Sequence, residues 1–328
     1  MKQEGKIMFS AVTAFFLTLL YSVSAFFSFI PERIWFGADK YTAQQPDQLL
    51  FSAALIADTH SDSGFFHDRS KTLRRIVCGI SHAERLPDAL VIAGDISNAT
   101  DEKEYGMFKW CLKTFNDVPA LIPAVGNHDT RASDTYEEAE KYFCDFAAAF
   151  GINTEKTYYA TEVNGYPFIV LGSEGQLRLE AVLSDEQLAW FETELQKAVA
   201  GDKPVFIISH QPLYKSNNVF YDASAETNHG IGAQSDKVEA ILRKYVPLCK
   251  APVFFISGHL HWNYGVQRID TDFMENLVSV NLPSVSKNEA TTGLGMSLEV
   301  YKDKVLLRGI NYITQEWQED WQYEIPVK

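Results

Sequence analysis

Five short polar clusters hold residue types from which a metal centre can be built: Asp58-Thr59-His60, Gly94-Asp95, Gly126-Asn127-His128-Asp129, Ser209-His210 and Gly258-His259-Leu260-His261. Five of the eight histidines fall in them, and none of the four cysteines does. Imidazoles mixed with Asp58, Asp95 and Asn127 suit two divalent transition-metal ions from the set Mn, Fe, Zn or Co. Calcium prefers all-oxygen shells, and a thiolate-bound metal needs cysteine. Read as extended chain, Asp-x-His sends two side chains to the same side, because strand side chains repeat every second residue, and His259 and His261 share that spacing. A carboxylate such as Asp95, leaving a tight glycine turn, can bridge two ions roughly 3.5 to 4 Å apart. Two dications would outweigh the charges of Asp58 and Asp95, leaving a net positive centre suited to an anionic substrate. Taken singly, Gly94-Asp95 is an ordinary turn and His210 an ordinary structural histidine. Taken together without metal, the clusters would bury carboxylates without partners, which is costly. His67, His82 and His229 fall outside the pattern and are read as surface or structural residues.

Each cluster directly follows a short apolar run. The first runs are Ala53 to Ala57, Ala89 to Ala93 and Ala120 to Val125. The spacing of Leu73, Ile76, Val77 and Ile80 predicts a helix over Lys71 to Arg85, and a second helix is expected around Glu102 to Phe115. This βαβαβ order is that of a largely parallel sheet covered by helices. Carboxyl ends of parallel strands converge on one crevice, where residues distant in sequence meet. Beyond a helix near Tyr136 to Phe150, strands are expected at Thr157 to Val163 and Phe168 to Leu171, in a hairpin around Asn164-Gly165. Ser184-Asp185-Glu186-Gln187 is a capping box, so a helix starts there. Strand Val205 to Ile208, helix Asp236 to Val246 and strand Val253 to Ile256 follow, and the tail from Tyr264 reads as several strands. The connection from Tyr214 to Ala233 is long, rich in Asn and Tyr, and is the candidate substrate-selecting lid.

In this order the five blocks resemble the calcineurin-like metallophosphoesterase superfamily, whose pattern is DxH, GD, GNHD or GNHE, a lone His, and GHxH. The resemblance covers roughly Phe51 to Ile313. It implies an α/β fold of two stacked mixed β-sheets flanked by helices, a four-layer α/β/β/α sandwich. It also implies that Asp58, His60, Asp95 and His261 hold one ion, while Asp95, Asn127, His210 and His259 hold the other. His128 then contacts phosphate and protonates the leaving group, with Asp129 orienting it and favouring the imidazolium. The competing role for His128 is support of a ligand. Asn98 and Arg131 are candidate substrate contacts. The purple acid phosphatases of this family use a tyrosine ligand shortly after GD, whereas Ile96-Ser97-Asn98-Ala99 stands here. The implied activity is hydrolysis of phosphomonoesters or small phosphodiesters. The alternative of a different kind is an exported metal-free binding or scaffolding protein on the same fold.

The formal charge of -14 disfavours long nucleic acid as a partner, since no Lys/Arg run offers a basic groove. Cys78, Cys111, Cys144 and Cys249 lack CxxC spacing and are read as free thiols. Behind Lys2 and Lys6, Ile7 to Ile30 runs 24 residues without a charge. That length spans a bilayer, and its basic leading edge sends everything after Pro31 out of the cytoplasm. A signal peptide cut after Val23-Ser24-Ala25 competes with a retained anchor, and both readings make the protein extracytoplasmic. The expected organisation is a targeting or membrane segment at 1–31, a linker at 32–50 and a catalytic domain at 51–328.

Overall fold

A strand that is apolar at every position must be covered on both faces, unlike one that alternates apolar and polar residues. Strands β2 (Ala89–Ile92) and β6 (Val205–Ile208) are of this kind, β1 (Phe51–Ile56) and β7 (Val253–Ser257) depart from it only at Ser52 and Ser257, and all four are buried throughout. The computed structural model describes residues 41–114, 118–214, 216, 229–261, 265–268, 276–286 and 291–327. The remaining strands are β3 (Ala120–Pro123), β4 (Tyr159–Val163), β5 (Tyr166–Val170), β8 (Gly265–Arg268), β9 (Leu277–Asn281), β10 (Leu294–Val300), β11 (Lys304–Asn311) and β12 (Glu316–Pro326). The helices are α1 (Asp68–Ser81), α2 (Glu102–Lys113), α3 (Tyr136–Ala148), α4 (Asp185–Val199) and α5 (Ser235–Tyr245).

The strands form two six-stranded sheets, in the orders β12-β11-β10-β1-β2-β3 and β4-β5-β6-β7-β9-β8. Each sheet has a parallel centre and antiparallel flanks. β1, β2 and β3 run parallel while β10 returns antiparallel beside β1. β5, β6, β7 and β9 run parallel, between antiparallel β4 and β8. The sheets are therefore mixed, more so than the βαβαβ pattern alone predicts.

An aromatic seam joins the sheets. The ring of Phe51 on β1 lies 4.4 Å from Tyr166 and 6.1 Å from both Phe168 and Phe206, all on the second sheet. Alternate residues of β6 and β7 turn the other way. Val205, Ile207, Val253 and Phe255 cluster with Phe191 and Leu195 of α4 and Val238 and Leu242 of α5. Burial of each such side chain contributes about 1.5–3 kcal/mol. Local signals behave as their chemistry requires. Ser184 caps α4 by accepting from the Gln187 amide. Asn164 and Gly165 both have positive φ, 53° and 75°, as the tight β4–β5 hairpin demands.

Residues 41–50 pack onto the outer strands of the first sheet. Tyr41 is buried and Leu49 clusters with Tyr301 and Leu306. The Gln44 amide donates to Glu299, the Gln45 amide donates to the Tyr301 hydroxyl, and Arg308 donates to the Thr42 carbonyl. Apolar Tyr41 and Leu49 gain more from this face than from water. Residues 1–40, including the hydrophobic run Ile7 to Ile30, lie outside the described residues. Among the described residues, no helix is long and apolar enough to cross a membrane.

Candidate metal centre

All five clusters meet at the carboxyl ends of β1, β2, β3, β6 and β7. Asp58 and His60 follow β1, Asp95 follows β2, Asn127 follows β3, His210 follows β6, and His259 and His261 follow β7. The two D-x-H and H-x-H segments are not extended, and this corrects the strand-period reading. Asp58, His60, Asp95, His259 and His261 all have positive φ, at 55°, 44°, 50°, 73° and 53°. Left-handed residues turn the chain sharply as it leaves a strand, at about 1–2 kcal/mol each. Such strain persists only where the surroundings over-determine it. Here they do: Asp58 N donates to the Gly94 carbonyl, His60 N to the Asp95 carbonyl, and His259 N to Asp58 Oδ2. The motif glycines make room for this approach. A Cβ on Gly126 would lie 2.2 Å from Asp95 Oδ1, and one on Gly94, itself at φ 84°, would lie 2.5 Å from the His210 ring.

Ligand atoms gather in two groups. In the first, atoms of Asp58, His60, Asp95 and His261 lie within 4.8 Å of one another. His60 Nε2 is 3.3 Å from His261 Nε2 and 3.6 Å from Asp95 Oδ2. In the second, His210 Nε2 is 3.1 Å from Asn127 Oδ1, 3.3 Å from His259 Nδ1 and 3.3 Å from Asp95 Oδ1. Asp95 thus turns one oxygen to each group. All seven candidate ligands come together, including Asn127, His210 and His259 beside the four of the first group.

The residues fit metal ions. Asp58 Oδ1, buried, has no hydrogen-bond partner, although His261 Nε2 is 2.8 Å away. Carboxylate and imidazole groups turned toward one point in this way are what a cation would satisfy. His210 Nδ1 donates to the Ala93 carbonyl at 2.8 Å, which leaves Nε2 as the inward acceptor when the ring is neutral. Burial holds His60 at a pKa of about 4 against the pull of Asp95 and Asp58. Burial, reinforced by His210, holds His259 at about 3. Both rings are therefore neutral, as ligands must be. Burial also opposes charge on Asp95, but His210 overrides it and keeps the carboxyl far below the usual range. His210 in turn rises to about 9 despite burial, because of Asp95 and Asp58. Without metal, the proton on His210 stands where a dication would neutralise the same carboxylates.

One further sequence reading needs correction. Asp129 does not orient His128. Its buried carboxylate accepts from the amides of Ser97 (2.7 Å), Gly126 (2.8 Å) and Ile96 (3.0 Å) and from the Tyr105 hydroxyl (3.0 Å). It therefore ties the GD loop to the GNHD turn, and oxygens so occupied have little left for an imidazole. His128 is oriented by the backbone: its Nδ1 is 2.6 Å from the Asn98 carbonyl. Burial lowers the His128 pKa, with Asp95 opposing, so the free site does not favour the imidazolium. Arg131 Nη2 lies 2.6 Å from His128 Nε2. Asn98 contributes its carbonyl to the site, and its amide is held by Glu104 at 2.9 Å.

His229 keeps its surface reading. It is exposed, as expected, yet its ring centroid is 5.5 Å from that of His259, so it belongs to the rim of the centre. No local pattern marks it; only its position at the end of the long Tyr214 to Ala233 connection hints at it. Most of that expected lid lies outside the described residues. Tyr105 and Glu104, which brace the loops, were likewise unmarked because both look like ordinary positions of α2. A separate cleft of about 410 Å³ between the β4–β5 hairpin and the end of α4, lined by Thr161, Phe168, Lys197 and Lys203, sits at the opposite end of β5.

The profile of the calcineurin-like phosphoesterase family matches residues 51–263. The glycerophosphodiester phosphodiesterase GpdQ of Enterobacter lignolyticus (strain SCF1) is 27% identical over 197 residues, covering 58% of this chain and 67% of that protein. A probable GpdQ of Arcobacter nitrofigilis is 26% identical over 226 residues, covering 68% and 72%. Among solved structures, a dimetal phosphatase from Danio rerio superposes with a TM-score of 0.60 at 15% identity, over 85% of this chain and 100% of that one. The purple acid phosphatase PPD1 of yellow lupin gives 0.55 at 14% identity, over 84% and 53%. At these identities the structural likeness is one of fold.

Proposed function

The chain belongs to the calcineurin-like phosphoesterase family and is a phosphate-ester hydrolase, and we propose that it acts on phosphomonoesters or small phosphodiesters through a dinuclear centre. Asp95 carries this reading, since its one buried carboxylate faces His60 with Oδ2 and His210 with Oδ1. Asp58, His60, Asp95 and His261 would hold one ion, and Asp95, Asn127, His210 and His259 the other. When bound, divalent ions supply Lewis acidity at the phosphoryl oxygens and a water acidic enough to attack phosphorus near neutral pH.

The chain's own residues position and protonate. His128 stands beside His60, with ring centroids 4.4 Å apart. Because its Nδ1 donates to Asn98, Nε2 is the atom offered to substrate. We assign to Nε2 a phosphate contact and delivery of a proton to the departing oxygen. A phosphate anion beside the ring raises its pKa, opposing the effect of burial. Asp129 acts on the loops and not on the ring. The relatives named for glycerophosphodiesters favour small diesters among the candidate substrates. We take the domain to work outside the cytoplasm, on the strength of the charge-free run Ile7 to Ile30 behind two lysines.

The test is the full chain reconstituted with Mn, Fe, Zn or Co. About two ions per chain are expected by elemental analysis, with hydrolysis of bis(4-nitrophenyl) phosphate or 4-nitrophenyl phosphate. No retained metal in any of the four reconstitutions would sink the reading.

A further inference from the structure

Arg131, on the turn that carries the candidate ligand Asn127, and Arg178, on the loop that follows β5, lie on segments that are hydrogen-bonded to each other. Arg131 is half-buried, and its guanidinium reaches both ring nitrogens of His128, at 2.6 and 3.1 Å. It forms no ion pair among the described residues. Arg178 is exposed and also has no ion pair among the described residues.

The loop carrying Arg178 is fastened to the turn carrying Arg131. Gln176 Nε2 donates to the Ser133 carbonyl at 2.8 Å, and to the Thr130 carbonyl and Ser133 Oγ at 3.1 Å. The acids of the same loop are engaged elsewhere. Glu174 accepts from the Ser184 amide and from Gln187, and Glu180 accepts from the Tyr214 hydroxyl. Burial lowers the Arg131 pKa, with Arg178 adding like-charge repulsion and Asp95 opposing it. The Gln176 tether keeps the two arginine-bearing segments side by side, and an anion bound by both guanidinium groups would relieve their like charge. The ester phosphate does not fill that need alone, because the metal centre already answers its charge.

We propose that Arg131 and Arg178 form an oxyanion subsite at the rim of the centre, and that the substrate carries a second anionic group, a phosphate or a carboxylate, beyond the phosphate that is cleaved. This rests on the phosphate-ester reading above. Arg131 would leave His128 Nε2 to engage the anion, which frees that nitrogen for the reacting phosphate. Binding of the second charge and exposure of Nε2 are then one event.

The probes are three small phosphates that differ in one arm: glycerol 3-phosphate, with a neutral arm; 3-phosphoglycerate, with a carboxylate; and propane-1,3-diol bisphosphate, with a second phosphate. Calorimetric affinities are measured on the metal-loaded full chain. The wild type should bind at least one anionic-arm ligand about 10-fold more tightly than glycerol 3-phosphate, the low end for a hydrogen bond to a charged group. Which of the two gains identifies the anion. Arg178→Ala, an exposed loop change, should bring the ratio close to 1, and Arg178→Lys should restore part of it. A wild-type ratio near 1, or a ratio that survives Arg178→Ala, overturns the subsite. Hydrolysis of bis(4-nitrophenyl) phosphate, which has no second anion, reports on the phosphoesterase function separately. Hydrolysis without the ratio rejects the subsite alone, and the ratio without hydrolysis rejects the phosphoesterase reading alone.

Discussion

His128 illustrates how much of a residue's role depends on what lies around it. The GNHD block makes it a candidate acid, and the structure supplies its orientation from Asn98 and not from its neighbour Asp129. Three backbone amides and a tyrosine claim Asp129 before any imidazole can. A general acid contributes only where the departing oxygen needs a proton, typically about 10²–10⁴-fold. His128→Ala should therefore lose far more rate on an alkyl phosphate ester than on a nitrophenyl one, at unchanged metal content. Equal losses on the two substrates would leave His128 as a phosphate contact and remove the acid assignment. The convergence of the candidate ligands was legible, because Asp, His and Asn at five strand ends have few other reasons to recur. His229 was not legible, since a lone histidine in a long connection carries no periodicity, and only folding brings it to within 5.5 Å of His259.

At the level of elements, strands and helices from Phe51 to Ser257 follow their patterns closely, because each is specified by local burial and local caps. The D-x-H segments did not follow theirs. Side-chain alternation describes a strand, but both segments begin after the strand ends, where hydrogen bonds to neighbouring loops impose left-handed turns. The outer part of the first sheet holds a second feature that the sequence left unmarked. Arg308 on β11 pairs with Glu299 on β10 at 3.1 Å, both buried, and the guanidinium lies 3.3 Å from the centre of the Trp317 ring. The pair also binds residues 41–50 through Gln44 and Thr42. Removing one partner of a buried ion pair strands the other charge, so Arg308→Ala should lower unfolding free energy by about 3–5 kcal/mol. Chemical denaturation measures this. A loss under about 1 kcal/mol, the value of an exposed pair, would mean that water reaches the site.

For the whole molecule, the remaining question of compartment turns on residues 1–30. A reporter that works only outside the cytoplasm, fused after Lys328, should be active, and a cytoplasm-only reporter there should be silent. The opposite result would withdraw the export reading and leave the catalytic one intact. The sequence by itself determined the family, the candidate ligand residues that converge and most of the regular elements. Residue type and short spacing encode these, and the five blocks are each contiguous. Only the tertiary structure decided which oxygen of Asp95 faces which group, what Asp129 holds, where residues 41–50 go, and that Arg131 meets His128 and His229 lies beside His259. Those facts depend on pairings between β1 and β10, or between the β5–α4 loop and the turn after β3, whose partners lie tens to hundreds of residues apart. Local propensity carries no record of such pairings; they are fixed by the joint burial of both sheets against one aromatic seam.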